Sequence, residues 1–206
     1  MQEQNNILYR TTINDREDYN SLPTFEAEQG IFRIESDDPI NASLRRQFSG
    51  FINQRILKHP GEPIYIIINS PGGHVTDGLA ILDSINSAKE TGSDVYTIAT
   101  GRAASMGAFL LAAGTKGCRY CTPNAEVLLH QPLGGVSGQA TDMVIVVDNI
   151  VKTKERLTKH LADFTGQSTE ELMPKLERNY IMSPEQALRE GIIDGIEYEI
   201  KIIRKG

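Results

Sequence analysis

Apolar residues along this chain switch repeatedly between short runs that fit a strand and stripes that fit a helix. Residues 31–34 open the pattern as a first strand. Asp37-Asp38-Pro39 then reads as a helix start, an acidic cap with proline in the first turn. Leu44, Phe48, Phe51 and Ile52 follow at helical spacing as one apolar stripe. Residues 63–69, PIYIIIN, are continuous, β-branched and apolar, which predicts a strand covered on both faces in a parallel sheet. Ser70-Pro71-Gly72-Gly73 breaks that run, and Leu79, Leu82 and Ile85 mark a second helix ending near Gly92. Residues 95–99 give another strand, Gly101 punctuates, and 105–113 are apolar all round, as in a buried helix. Short strands are expected over 118–121 and 126–129.

The second half is less regular. Residues 132–139 are glycine-rich and irregular. A long helix follows over about 140–164, with Met143, Val147, Ile150, Val151 and Leu157 roughly on one side. The charges in its second half predict that it projects from the core. Ser183-Pro184-Glu185-Gln186 fits a capping box with proline at the first helical position, and Gly191 ends that helix. Ile196, Tyr198, Ile200 and Ile202 alternate with charged residues, as in a half-buried strand. Residues 1–28 are polar, weakly patterned and expected to be flexible. The alternation of strand and helix predicts an α/β fold with a mainly parallel sheet, in one domain over 29–206.

Composition narrows the function. The net charge of −6 argues against a nucleic-acid partner, which would want clustered Lys and Arg. The best apolar runs, 64–68 and 106–113, fall far below the roughly 20 residues of a membrane-spanning helix. The polar residues 1–6 are not a secretory signal, so a cytoplasmic protein is expected. Cys118 and Cys121 are spaced C-x-x-C, but no second ligand pair exists for zinc. The turn-like Thr122-Pro123-Asn124 follows where a redox motif would open a helix, so both read as structural.

A serine nucleophile needs a base, an orienting group and donors for the oxyanion. Gly101-Arg102-Ala103-Ala104-Ser105-Met106-Gly107 is the best candidate, because small residues allow a sharp strand-to-helix turn at Ser105. It is not G-x-S-x-G, since Ala103 replaces the first glycine. A plain helix cap at Ser105 is an equal reading of those residues alone. Among four histidines, His59 and His160 read as surface, and His74 as exposed or lining a site. His130 ends an apolar strand, the place where α/β active sites assemble. A strand-end histidine with a satisfied hydrogen bond is the ordinary alternative. Gly72-Gly73 also follows a strand end, where paired glycines let a backbone N–H approach a substrate, although an ordinary strand-to-helix turn is the favoured reading of those residues alone.

INSPGG (68–73), GRAASMGAFLLAAG (101–114), HQPLGGVSGQATD (130–142) and TGQS (165–168) together resemble the signatures of the Clp protease proteolytic subunit (ClpP) family, in order and nearly in spacing. The resemblance runs from about residue 30 to 196, with 89–94 a few residues longer than usual. It implies a serine endopeptidase with Ser105 as nucleophile, His130 as general base, and the backbone N–H groups of Gly73 and Met106 as the oxyanion hole. It implies a crotonase-like fold whose glycine-rich strand and long helix form a handle over about 131–165. Handles would interlock two heptameric rings into a tetradecamer, with Arg178 at ring contacts and residues 1–28 as an axial loop. A hexameric AAA+ unfoldase would use ATP to feed in unfolded polypeptides, gripped through apolar pockets that include Tyr65. The subunit itself would need no cofactor or metal. One position departs from the family: Asn179 stands where the third triad member is an Asp, in Glu177-Arg178-Asn179-Tyr180. An amide oxygen can orient His130 but cannot stabilise its cation as a carboxylate would. The competing expectation is a weakly active structural ring subunit working with an active paralogue. An acyl-CoA enzyme of the crotonase-like class is a weaker third, since it would not need Ser105 with His130.

Overall fold

The computed structural model describes residues 25–26, 30–35 and 37–197. Most of the segment expected to be flexible, and Tyr198, Ile200 and Ile202 of the expected late strand, lie outside those residues. In chain order the elements are β1 (Phe25–Glu26), β2 (Ile31–Glu35), α1 (Ala42–Lys58), β3 (Ile64–Ser70), α2 (Val75–Glu90), β4 (Val95–Ala104) and α3 (Met106–Ala112). They continue with β5 (Arg119–Cys121), β6 (Glu126–Leu129), α4 (Ala140–Thr165), α5 (Thr169–Leu176), β7 (Tyr180–Met182), α6 (Pro184–Arg189) and β8 (Gly195–Ile196).

The sheet runs β1-β2-β3-β4-β5-β8 and is parallel from β2 onward, so the expected α/β architecture is present. β3 is buried on both faces. Ile64, Ile66 and Ile68 enter the main core under the helices, while Tyr65 and Ile67 join Ile31 and Ile98 on the other side. β4 is long enough to serve two partners. Thr97–Ala99 pairs with β5, and Arg102–Ala104 pairs with β6. β6 turns back antiparallel against β7. This forking of the sheet at the end of β4 opens the space where the site lies.

Four expectations change. The first helix starts at Ala42, not at Asp38, because Ile40 is taken up in a parallel bridge to Gly73. Asn41 becomes the cap, its side chain accepting from the N–H groups of Ser43 and Leu44 at 2.9 and 3.1 Å. In α4 the projecting half is the apolar first half, with Met143, Val144, Ile145, Val146, Val147 and Val151 exposed. The charged second half is docked, since Thr158 and Leu161 are buried and Arg119 donates to the Phe164 carbonyl at 2.9 Å. Tyr65, expected in an open pocket, is only 1% exposed and stacks on Tyr96 at 4.8 Å. Residues 131–139, expected as a handle strand, form no strand within the chain.

Candidate active site

Ser105 sits at the fork. Its N–H donates to the Leu128 carbonyl at 2.7 Å, which ties the end of β4 to β6. Its backbone is at φ 54 and ψ −121, the one positive φ among the described non-glycine residues. Such a conformation costs on the order of 1–3 kcal/mol and persists only where the surroundings impose it. They do so here by close packing. A Cβ on Gly72 would stand 2.6 Å from the Ser105 Cβ and 2.7 Å from the Ala104 carbonyl. Ala103 and Ala104 are buried, so the strand turns into α3 without side chains in the way. This is the strand-to-helix elbow that presents a serine hydroxyl, built without the G-x-S-x-G sequence.

Gly73 reaches the same cleft by a different device. Ile40 donates to the Gly72 carbonyl at 2.7 Å and accepts from the His74 N–H at 2.9 Å. Successive N–H groups of an extended segment point opposite ways. With His74 aimed at Ile40, the Gly73 N–H faces away from it. The Met106 N–H, first in α3, has no partner from within that helix. A cleft of about 660 Å³ is lined by Gly73, Ser105, Met106 and His130, over a floor that includes Phe109, Leu157 and Leu161.

His130 follows β6 and is half-buried. Its Nδ1 lies 2.6 Å from the Gln131 carbonyl. A carbonyl only accepts, so this bond puts the proton on Nδ1 and leaves Nε2 free to act as a base. Gln131 is itself anchored: its N–H donates to the Leu176 carbonyl at 2.7 Å, and Nε2 to that of Glu177 at 3.1 Å. Ser105 and His130 share the cleft with no hydrogen bond between them, a separation that often closes only when substrate binds.

Asn179 is not brought into the cleft. Leu129 pairs with Tyr180, so one further step of that ladder sets His130 opposite Asn179. The Asn179 side chain is nevertheless exposed, with no bond to His130. Asp194 cannot replace it. It holds Arg119, accepting from Nε at 2.8 Å and Nη2 at 2.5 Å, and it caps the Gly117 N–H at 2.7 Å. Burial pushes its carboxyl up, but the hydrogen bonds and charge of Arg119 outweigh that and hold it below the ordinary value. Within the described residues, the orienting partner of His130 is a main-chain carbonyl.

The protein-family model described as Clp protease matches residues 38–199. The chain belongs to the Clp protease family. It is therefore a Clp-type peptidase, with an α/β Clp-protease fold.

Other candidate groups fall into place around this Clp-type cleft. His74 lines its rim, with Nδ1 3.3 Å from Asp77. His160, expected in solvent, is half-buried between Phe109 and Phe164, because the charged half of α4 is docked. Both cysteines are buried and free, and burial pushes the Cys121 thiol up to about 12. Among the described residues no group of three His, Cys, Asp or Glu could hold a metal ion, and no helix is long and apolar enough to cross a membrane. Sequence reasoning passed over Ile40, Gln131 and Lys154. Ile40 carried no signal, since its role is a backbone bond to a loop 33 positions on. Gln131 stood inside the HQP motif but was not given a task.

Proposed function

We propose that this chain is the serine endopeptidase subunit of an ATP-dependent, self-compartmentalised protease that cuts unfolded polypeptides into short peptides. One observation carries the reading: the only strained non-glycine backbone among the described residues is at Ser105, and it shares a cleft with His130 and the Gly73 N–H. In the first half-reaction His130 Nε2 takes the Ser105 hydroxyl proton as Oγ attacks the peptide carbonyl carbon. The N–H groups of Gly73 and Met106 receive the negative oxygen. His130 then gives its proton to the leaving nitrogen, the C–N bond breaks, and an acyl-serine remains. Water, deprotonated by His130, repeats the sequence and releases a carboxylate and free Ser105.

Assembly belongs to the same proposal. The bare apolar half of α4 is the kind of surface that marks an interface, and it supports interlocking of two heptameric rings. A hexameric AAA+ unfoldase would spend the ATP and deliver substrate, and the cytoplasm would be the setting. Both rest on the family resemblance. The second reading, a weakly active ring subunit beside an active paralogue, is favoured because no carboxylate among the described residues pairs with His130. Treating the full chain with a serine-acylating probe and mapping the adduct tests the site. Modification of Ser105 alone is expected; modification of another serine would remove the proposal's basis.

A further inference from the structure

The cleft carries an asymmetry of charge that the peptidase reading does not use. The protein is acidic, with net charge −6, yet among the described residues no Asp or Glu lines the cleft. Lys154 does, and apart from the two imidazoles it is the only ionisable side chain there among the described residues. It lies on α4, where Lys154, Leu157, Thr158 and Leu161 follow the i, i+3, i+4, i+7 spacing and form one stripe facing the cleft. Lys154 is half-buried and makes no ion pair among the described residues. The buried Thr158 hydroxyl is spent on the Lys154 carbonyl at 2.9 Å, so it is not a competing donor. The floor is apolar, with Met106, Phe109, Leu129, Leu157, Leu161 and Leu176. Asp77, paired with the rim residue His74 at 3.3 Å, is also bound by Arg45 at 2.9 Å.

We propose that Lys154 selects substrate: the cleft takes a side chain with an apolar shaft and an anionic tip, glutamate above all, next to the bond to be cut, and disfavours lysine and arginine. The shaft lies over the leucines while the carboxylate meets an ammonium that pairs with no described acid. A partly solvated charge pair changes affinity by roughly twofold to fivefold. Replacing Glu by Lys in the substrate exchanges attraction for repulsion, so the end-to-end difference is about tenfold, and salt shrinks it.

This rests on the peptidase reading, so binding is measured apart from turnover. Fluorescein-labelled short peptides with Glu, Gln or Lys at one position, all amidated at the C-terminus, are titrated against the full chain carrying Ser105→Ala, with anisotropy as readout. The expected order is Glu, then Gln, then Lys. The order flattens with Lys154→Met, inverts with Lys154→Glu, and weakens at high salt. Equal affinities, no binding of any peptide, or an order unchanged by both Lys154 variants would overturn the inference. A Gln peptide with a free C-terminus forms a further arm. If only that carboxylate is favoured, the ammonium reads a product terminus and the side-chain proposal is wrong. Hydrolysis of the same peptides by the unaltered chain is scored separately. Its absence alongside the expected binding order would sink the peptidase reading and leave the role of Lys154 standing.

Discussion

Substituting Gly73 by alanine probes the least obvious part of the site, because it attacks a backbone donor without touching any reactive side chain. A Cβ at Gly73 would overlap the backbone N, O and Cα of Ile40. None of these is the end of a flexible side chain, so the loop itself has to leave Ile40. Its two hydrogen bonds, at 2.7 and 2.9 Å, are then lost. At roughly 1 kcal/mol each, stability falls by about 2 kcal/mol. A domain with a reserve of about 5–15 kcal/mol remains overwhelmingly folded after that loss. The chemical cost is larger. Moving one oxyanion donor out of place costs about 10²–10³ in kcat. Turnover of a short fluorogenic peptide should therefore fall at least a hundredfold on that estimate, with Ser105 acylation slowed in parallel and the urea midpoint only modestly lowered. Gly92→Ala is the control. Its φ is +86 with nothing within 4 Å of an added Cβ, so it should cost stability alone. If Gly73→Ala lowers the urea midpoint and leaves turnover within threefold, the Gly73 N–H is not an oxyanion donor.

Three further outcomes follow from the geometry. Asn179→Ala should change peptide turnover little, since His130 is held by the Gln131 carbonyl, whereas Asn179→Asp should raise it by adding a carboxylate opposite the imidazole; equal rates for all three forms would remove Asn179 from the site. Asp194→Asn should destabilise the chain by about 3 kcal/mol at neutral pH by leaving Arg119, 2% exposed, without its counter-ion. Because the folded Asp194 carboxyl is held below 3.8, its contribution is complete above that pH and is lost as pH falls further; chemical denaturation of both forms should show the gap closing there, and a gap independent of pH would contradict the ion-pair account. Ile145→Asp places a charge on the bare half of α4, and light scattering should then report a smaller particle with unchanged circular dichroism; an unchanged mass would clear this face of any role in assembly.

What could be read from the chain followed how locally each feature is determined. β3 and the elbow at Ser105 were legible because a β-branched run and a string of small residues act on their immediate neighbours. The start of α1 was misplaced because Ile40 answers to Gly73, a contact that no local pattern carries. The orientation of α4 was misread for a related reason. Charged residues suggested solvent, but Thr158 and Leu161 dock on the core, and the apolar half is left exposed by the described residues. α5 and β7 went unnoticed, although Ser168 and Glu171 form a capping box visible as S-x-x-E. The motif put Asn179 at the third triad position; the ladder sets it opposite His130, but its exposure and the bond of His130 to a main-chain carbonyl depend on side-chain rotamers, which no motif carries.

The claim that Ser105 and His130 cut peptide bonds is tested most directly by incubating an unfolded polypeptide with the full chain, in parallel with Ser105→Ala and His130→Ala. Each reaction is read by mass spectrometry for new termini. The account predicts short products from the unaltered chain, enhanced once it is assembled, and none above background from either variant at equal oligomeric mass. Undiminished product from Ser105→Ala would contradict it.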